Sequence, residues 1–363
     1  MSIDQSVGID VQPAARTRTD PVTGPSYPRQ HWYVVAESGE VTDQPLARRV
    51  CGDDLVLYRT AAGEVACLPD RCPHRGYPLS AGCVVDDELQ CGYHGLRFAT
   101  DGTCTWAPGQ DRMPASANLA ARPVVEVAPW VFVWMGDPAA PDLDRLTPIP
   151  WFGSAEWAVA HGVEPLDAPY GLLIDNLLDL SHETFLHGGS IGTPEVAETP
   201  ITTEVAGDVV FVSRRMESVE CPPFYQRATG LETPIDRWQD IEYHAPGVYL
   251  LHVRVAPAGA DPLGDPRAAR VEVLYAITPC DDDTTLDFWA VARNFALDDA
   301  EVQRFIGDMN RSVVLEDVAA LNLIAARNRR DGGGAEVSFK IDRGGLAARR
   351  VLAAQREREN LGT

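Results

Sequence analysis

The sequence lacks the features that define several classes of protein. It has no run of about 18 apolar residues, the length that a membrane-spanning helix requires. Its first residues lack the basic and apolar segments of a secretory signal. It also has no P-loop and no glycine-rich dinucleotide fingerprint, which excludes nucleotide binding through those motifs. We therefore expect a cytoplasmic protein that does not span a membrane.

Positive charge is scarce as well. Lys340 is the only lysine, and the 363 residues carry 53 acidic against 31 basic side chains, a formal net charge of −22. Such a surface repels the phosphates of nucleic acids and of anionic membranes, so we expect neither as a partner. The hydrophobic content of 45% is typical of a globular protein, and the length suffices for about two domains.

The patterning of the chain predicts an arm followed by two domains, with an α+β fold as a whole. Residues 1–28 are rich in proline, threonine, serine and glycine, which predicts a flexible arm. Short β-rich runs between turn residues predict a small all-β domain over 29–138. Over 139–363, a helical segment, four strand candidates and a long helix predict an α+β domain with an antiparallel sheet. The long helix follows the acidic residues Asp298 and Asp299 and reaches about Arg330, where a glycine run over 332–334 ends it.

Two short segments of the first domain each combine a cysteine with a histidine. They supply Cys72 with His74, and Cys91 with His94. Two thiolates and two imidazoles are the ligands of a Rieske [2Fe-2S] cluster, and the same set also suits structural zinc. Zinc fingers group their two cysteines together and their two histidines together, whereas each segment here is mixed. The spacing favours the Rieske cluster, with zinc as the alternative.

The run from Asp175 to His187 concentrates carboxylates, an amide and two imidazoles. His182 and Glu183 begin like the HExxH motif of zinc proteases, but the second histidine follows five residues later instead of four. On a regular helix this places it about 140° around the axis, which excludes the protease geometry. Two histidines and a carboxylate can instead form the facial triad of a non-heme Fe(II) oxygenase. Both histidines can bind one ion only if the helix is interrupted between them.

The two motifs together resemble the Rieske non-heme iron oxygenase family. The family pattern Asn-x-x-Asp-x-x-His-x4-His is matched by Asn176, Asp179, His182 and His187. The resemblance implies that both histidines bind a mononuclear Fe(II), and that Asp317 in the late segment VLEDVAALN is the third ligand. It also implies a catalytic role for Asn176 and Asp179.

The resemblance further implies an assembly and a partner. Family members form head-to-tail homotrimers, in which the Asp179 carboxylate would accept an N–H bond from His94 of a neighbouring subunit and another from His182. A separate flavin and iron-sulfur reductase would supply electrons from NAD(P)H, since this chain has no nucleotide motif.

Several segments are most similar to the vanillate O-demethylase branch of the family. They are DNLLDLSHETFLH, CPPF, ARNFA and GGLAARRVL. The similarity implies that the chain uses O2 to demethylate a methoxylated aromatic acid such as vanillate, giving protocatechuate and formaldehyde. A ring hydroxylase or an N- or O-demethylase for another aromatic substrate remains an alternative. An electron-transfer Rieske protein without oxygenase activity is the alternative from another class, and the second metal motif argues against it.

An aromatic carboxylate in so acidic a protein needs local cations or hydroxyl donors. The strand candidates of the second domain supply Tyr243, Arg254 and Tyr275 as candidate substrate contacts. Each of the three is also a common structural residue of a sheet.

Overall fold

The computed structural model describes residues 27–334 and 336–361. Residues 1–26 of the predicted arm lie outside this range. Tyr27, which the prediction assigned to the arm, is buried against Tyr170, with 6.1 Å between the ring centroids. Among the described residues, no helix combines the length and the apolar character needed to cross a membrane.

The N-terminal part is built of short antiparallel strands in three sheets, as far as the described residues go. The sheet orders are β1-β10-β9, β2-β3-β4 and β5-β6-β7-β8. The strands are β1 (Trp32–Glu37), β2 (Leu46–Val50), β3 (Asp53–Arg59), β4 (Val65–Pro69), β5 (Cys83–Val85), β6 (Glu88–Gln90), β7 (Arg97–Phe98), β8 (Cys104–Trp106), β9 (Val124–Val127) and β10 (Trp130–Trp134).

The C-terminal part forms one antiparallel sheet of seven strands, in the order β11-β17-β16-β15-β14-β13-β12. The strands are β11 (Ala158–Leu166), β12 (Thr202–Ala206), β13 (Val209–Val219), β14 (Ile235–His244), β15 (Val248–Pro257), β16 (Ala269–Pro279) and β17 (Thr285–Arg293). The helices are α1 (Tyr170–Leu177), α2 (Glu183–Leu186), α3 (Pro194–Glu198), α4 (Pro223–Thr229), α5 (Ala300–Asp331) and α6 (Arg343–Leu361). The α+β fold with an antiparallel sheet is thus confirmed.

The seven-stranded sheet is buried on both faces, because alternate residues of a strand point to opposite sides. On β15, Tyr249, Leu251 and Val253 belong to the core beneath the helices. Leu250 points the other way and packs with Trp130 of β10 in a second core between the two parts of the chain. The strands around the two Cys–His segments have a third, separate core. We call these strands, β3 to β8, the N-terminal lobe.

Helix α5 begins and ends where its sequence predicts. The carboxylate of Asp299 accepts hydrogen bonds from the main-chain N–H groups of Glu301 and Val302, which caps the N-terminus. Gly332 ends the helix with φ 73°, a left-handed conformation that glycine adopts without steric cost. The buried side of α5 is apolar except for Asp317, a residue that is only 5% exposed. Burying a carboxylate is costly unless it is paired or binds a metal.

Candidate metal centres and substrate cavity

The two Cys–His segments form adjacent loops at the end of the N-terminal lobe. The ring centroids of His74 and His94 lie 4.6 Å apart. Cys72 and Cys91 are buried, whereas both histidines are exposed. The loops therefore bring all four side chains together, with the thiols inside and the imidazoles at the surface.

Both loops have the same main-chain geometry. The N–H of Gly76 donates to the Cys72 carbonyl at 2.8 Å, and the N–H of Gly95 donates to the Cys91 carbonyl at 3.0 Å. Each glycine has a positive φ, 71° and 75°, which a turn this tight requires. Burial raises the pKa of the Cys72 thiol, and hydrogen bonds from the main-chain N–H groups of His74 and Arg75 oppose that rise. N–H groups directed at a cysteine sulfur suit the thiolate ligand of an iron-sulfur cluster.

The second group consists of His182, His187 and Asp317, whose ligand atoms all lie within 4.8 Å of one another. Asp317 Oδ1 is 3.4 Å from His182 Nε2 and 3.2 Å from His187 Nε2. The expected helix interruption is present, because a 3₁₀ turn ends at His182 and the single turn of α2 ends just before His187. This irregular backbone lets both rings face the same point.

Buried orphan atoms indicate that a cation belongs at this point. His187 Nε2 and Asp317 Oδ1 are buried and have no hydrogen-bond partner within the described residues. Buried polar atoms are almost always paired, so an unpaired nitrogen beside an unpaired carboxylate oxygen suits a metal ion. Two imidazoles and one carboxylate, with coordination positions left open, are the donors that non-heme Fe(II) takes.

Hydrogen bonds to the far nitrogen of each ring fix both histidines. His182 Nδ1 donates to the main-chain carbonyl of Asp179, and His187 Nδ1 donates to the Glu316 carboxylate, both at 2.6 Å. Each bond places the ring proton on Nδ1 and leaves Nε2 free for a metal. Sequence reasoning missed the role of Glu316 and used only its neighbour Asp317.

The Asp179 carboxylate does not bond to His182, which differs from the expectation. It accepts a hydrogen bond from the N–H of Ser181 at 2.9 Å and so caps the 3₁₀ turn. His182 reaches only the main-chain carbonyl of Asp179, because its ring folds back over the tight turn that joins them. Asn176 and Asp179 line a crevice that also exposes His182. The predicted contact of Asp179 with a neighbouring subunit stays a prediction.

A buried ion pair holds the histidine segment against the sheet. Arg237 of β14 donates to the Glu183 carboxylate at 3.0 Å and to the Ile191 carbonyl at 2.9 Å. Gln239 donates to the same carboxylate at 3.1 Å. The main chain also packs tightly here, since a Cβ on Gly192 would lie 1.8 Å from the Glu183 carbonyl oxygen. Glu183 therefore acts as an anchor between the two histidines, a role that its sequence position did not reveal.

The triad of His182, His187 and Asp317 lies in the wall of a cavity between the sheet and α5. This cavity has about 670 Å³ of unfilled space, including its open mouth. Most of the wall is apolar, with contributions from Leu251, Val253, Val271, Val273, Val291 and Val313. The polar side chains of the wall, apart from the triad, are those of Glu183, Tyr225, Arg237, Tyr249, Tyr275 and Asn310.

Of the three candidate substrate contacts, the structure brings only Tyr275 to this cavity. The Tyr243 hydroxyl donates to the Pro246 carbonyl at 2.6 Å and lies outside the wall. Arg254 points from the opposite face of the sheet, where it donates to Asp240 at 3.2 Å. Asn310, which sequence reasoning did not consider, lines the cavity on the same helix as Asp317.

Two family models match the chain. The Rieske [2Fe-2S] domain matches residues 31–123, and the vanillate O-demethylase oxygenase C-terminal domain matches residues 166–358. The first range contains both Cys–His loops, so their ligands belong to an iron-sulfur cluster and not to a zinc site. The second range contains His182, His187 and Asp317. Together they define the class of the protein, which is a Rieske non-heme iron monooxygenase.

Similar proteins narrow this class. A vanillate O-demethylase oxygenase subunit of Pseudomonas sp. (strain HR199 / DSM 7063) is 37% identical over 91% of this chain and 96% of that protein. The oxygenase component of dicamba O-demethylase from Stenotrophomonas maltophilia is 32% identical over 83% of this chain and 89% of that protein. The crystal structure of dicamba monooxygenase bound to 3,6-dichlorosalicylic acid superimposes with a TM-score of 0.86 at 28% identity, covering 92% of this chain and 98% of that chain. The chain belongs to the vanillate O-demethylase oxygenase family.

We expect Glu316→Gln to weaken Fe(II) binding by about tenfold, because a carboxylate behind a ligating histidine makes the imidazole more basic. Glutamine can still accept the hydrogen bond, so the ring stays in place while the charge is lost. Competition with a chromogenic Fe(II) chelator measures the affinity. Glu301→Gln, an exposed change on the same helix, is the control, and an unchanged affinity in Glu316→Gln would contradict this role.

Proposed function

We propose that the chain is the oxygenase component of a two-component monooxygenase that demethylates a methoxylated aromatic acid such as vanillate. The products would be protocatechuate and formaldehyde, with O2 as the oxidant. The main support is the position of His182, His187 and Asp317 in the wall of an otherwise mostly apolar cavity. Two vanillate O-demethylase oxygenase subunits at 37% identity support the substrate class.

The chain's own residues would bind and orient the substrate. His182, His187 and Asp317 would hold Fe(II), which when bound supplies O2 activation for the insertion of one oxygen atom into the methyl C–H bond. The apolar walls would exclude water and hold the ring so that its methoxy group faces the triad. The hydroxylated methyl ether is a hemiacetal, which collapses to a phenol and formaldehyde without further help.

The remaining assignments complete the proposal. Cys72, His74, Cys91 and His94 would bind the [2Fe-2S] cluster in a domain of residues 29–138, and residues 139–363 would form the catalytic domain. We propose that a separate flavin and iron-sulfur reductase delivers electrons from NAD(P)H. The relatives are called oxygenase subunits or components, which implies a second component there. Because the reductase would need NAD(P)H, we propose that the system works in the cytoplasm.

We also propose a head-to-tail homotrimer, in which the N-terminal lobe of one subunit meets the crevice beside Asp179 and His182 of the next. Exposed side chains support both surfaces. Tyr93, next to His94, is 61% exposed, and Phe185, between the two iron ligands, is 83% exposed. Exposed aromatic side chains beside functional groups are typical of interaction surfaces. In a head-to-tail ring of three subunits, both surfaces of every subunit would be covered by a neighbouring subunit.

A substrate panel tests the proposed reaction. We expect the purified protein, with a surrogate reductase and NADH, to convert vanillate into equal amounts of protocatechuate and formaldehyde. Formaldehyde is assayed directly and the aromatic products are separated by chromatography. Benzoate, which has no methoxy group, is the matched control and should release none. If vanillate is untouched while a ring without a methoxy group is hydroxylated, the chain is a ring hydroxylase of the same family.

A further inference from the structure

The cavity wall contains buried polar atoms that neither the iron site nor the fold uses. Apart from the two atoms directed at the iron position, three wall residues carry a buried atom without a hydrogen-bond partner in the described parts of the chain. These atoms are Arg237 Nε, the Tyr249 hydroxyl oxygen and Asn310 Nδ2. Because buried polar groups are normally paired, unpaired ones in a cavity wall indicate a ligand that completes them.

The unpaired groups have a common chemistry, because all of them can donate a hydrogen bond. An Asn amide nitrogen and an Arg nitrogen only donate. Burial raises the pKa of Tyr249 well above its usual range, so its hydroxyl keeps the proton and remains a donor. Among the described residues, the unpaired buried acceptors of the wall are His187 Nε2 and Asp317 Oδ1, and both face the iron position. Because the wall has unpaired hydrogen-bond donors, it suits a ligand group that only accepts hydrogen bonds. A carboxylate is such a group.

Of these donors, Asn310 has the position that the carboxylate of a methoxybenzoate requires. It precedes Asp317 by seven residues on α5, which is two turns within about 20°, so both side chains lie on one face of the helix. The separation along the axis is about 10 Å. Val313 lines the cavity between them. A benzoate with its methoxy group at the triad would extend along this face and place its carboxylate toward Asn310.

Arg237 is less suited to this task, although it is the only arginine or lysine of the wall among the described residues. Its two terminal nitrogens already bind the Glu183 carboxylate and the Ile191 carbonyl. The ion pair neutralises the guanidinium, and a substrate carboxylate placed there would also meet the negative charge of Glu183.

We propose that Asn310 is the residue that recognises the substrate carboxylate, at the end of the cavity away from the iron. This inference rests on the proposed demethylation of a methoxylated aromatic acid and adds the residue that selects for the acid group. Asn310 would act on binding and orientation, not on the chemistry at the methyl group.

Binding measurements on the loaded protein under anaerobic conditions test this role. Vanillate and guaiacol, which is the same molecule without the carboxylate, are titrated by calorimetry into the wild type, Asn310→Leu and Asn310→Asp. We expect both variants to bind vanillate at least about tenfold more weakly, because a charge-assisted hydrogen bond is lost. Asn310→Asp should be the weaker of the two, since its carboxylate repels that of vanillate. Guaiacol affinity should change little in Asn310→Leu.

The controls separate this role from packing and from the proposed function. Asp308→Asn, an exposed change two residues from Asn310 on the same helix, lies outside the cavity wall and should bind vanillate like the wild type. If Asn310→Asp, which has the shape of asparagine, binds vanillate as well as the wild type does, the inference is wrong. It is equally wrong if both variants weaken vanillate and guaiacol alike. A wild type that binds vanillate but releases no formaldehyde would contradict the proposed function and leave the Asn310 comparison intact.

Discussion

Asp317→Asn is expected to abolish demethylation and to release the mononuclear iron while the Rieske cluster stays in place. An amide is a poor ligand for Fe(II), and it also removes the negative charge that balances the ion between two neutral imidazoles. The change preserves the shape of a side chain that is only 7% exposed, so the fold should persist. Iron content should fall from about three to about two atoms per chain, since a [2Fe-2S] cluster holds two.

Two measurements are read together for this variant. The EPR signal of the reduced cluster should be unchanged, which shows that the N-terminal lobe is loaded and folded. Asp308→Asn, an exposed change on the same helix, should keep full iron content and full turnover. A variant of Asp317 that retains its third iron atom would remove this residue from the ligand set.

Asp179→Asn is expected to slow turnover by about 100-fold or more while the cluster, the iron and the proposed trimer remain intact. One carboxylate oxygen accepts the N–H of Ser181, and asparagine caps a helical turn as well as aspartate does. The turn before His182 should therefore survive. In the variant, however, the second oxygen becomes an NH2 group, and this donor would face the N–H donor of the neighbouring subunit's cluster histidine. The hydrogen bond from that histidine to Asp179 would be lost, and with it the connection that continues through the Asp179 main-chain carbonyl to His182.

Single-turnover kinetics give the direct measurement, because they follow the oxidation of the reduced cluster when O2 is mixed with the substrate complex. Asp142→Asn is a close control, since the Asp142 carboxylate caps another 3₁₀ turn in the same way, by accepting a hydrogen bond from the main-chain N–H of Asp144. It should react at the wild-type rate. If Asp179→Asn also reacts at that rate, the electron does not pass through this side chain.

The sequence predicted best what depends on local spacing. The caps of α5, the two Cys–His loops and the interruption between His182 and His187 all follow from residues a few positions apart. The third ligand needed the family resemblance, because Asp317 lies 130 residues beyond His187. Glu316 was missed for the same reason: nothing near it in the sequence shows that its carboxylate meets His187.

The substrate contacts failed for a different reason. In strand β15, which reads VYLLHVRVAP, the apolar residues Tyr249, Leu251 and Val253 alternate with a face that carries both Leu250 and the polar His252 and Arg254. Apolar cores cover both faces, so the alternation separates the two faces but does not show which one borders the cavity. Arg254 therefore seemed suitable by charge, although Tyr249, Leu251 and Val253 are the residues that point toward the iron. Asn310 was recognisable in principle, since a seven-residue offset from Asp317 places both on one helical face.

The burial of β10 on both faces bears on how the protein unfolds. Val131 and Val133 contribute to the core beneath the helices, while Trp130, Phe132 and Trp134 fill the core between the two parts of the chain. A strand shared in this way couples the stability of the two halves, so that neither can open without exposing apolar surface of the other. The two halves are therefore one cooperative unit over most of their contact. Strands β5 to β8 of the N-terminal lobe contribute to the third core and not to the other two, so this part of the lobe can loosen locally and damage to the cluster need not spread to the iron site.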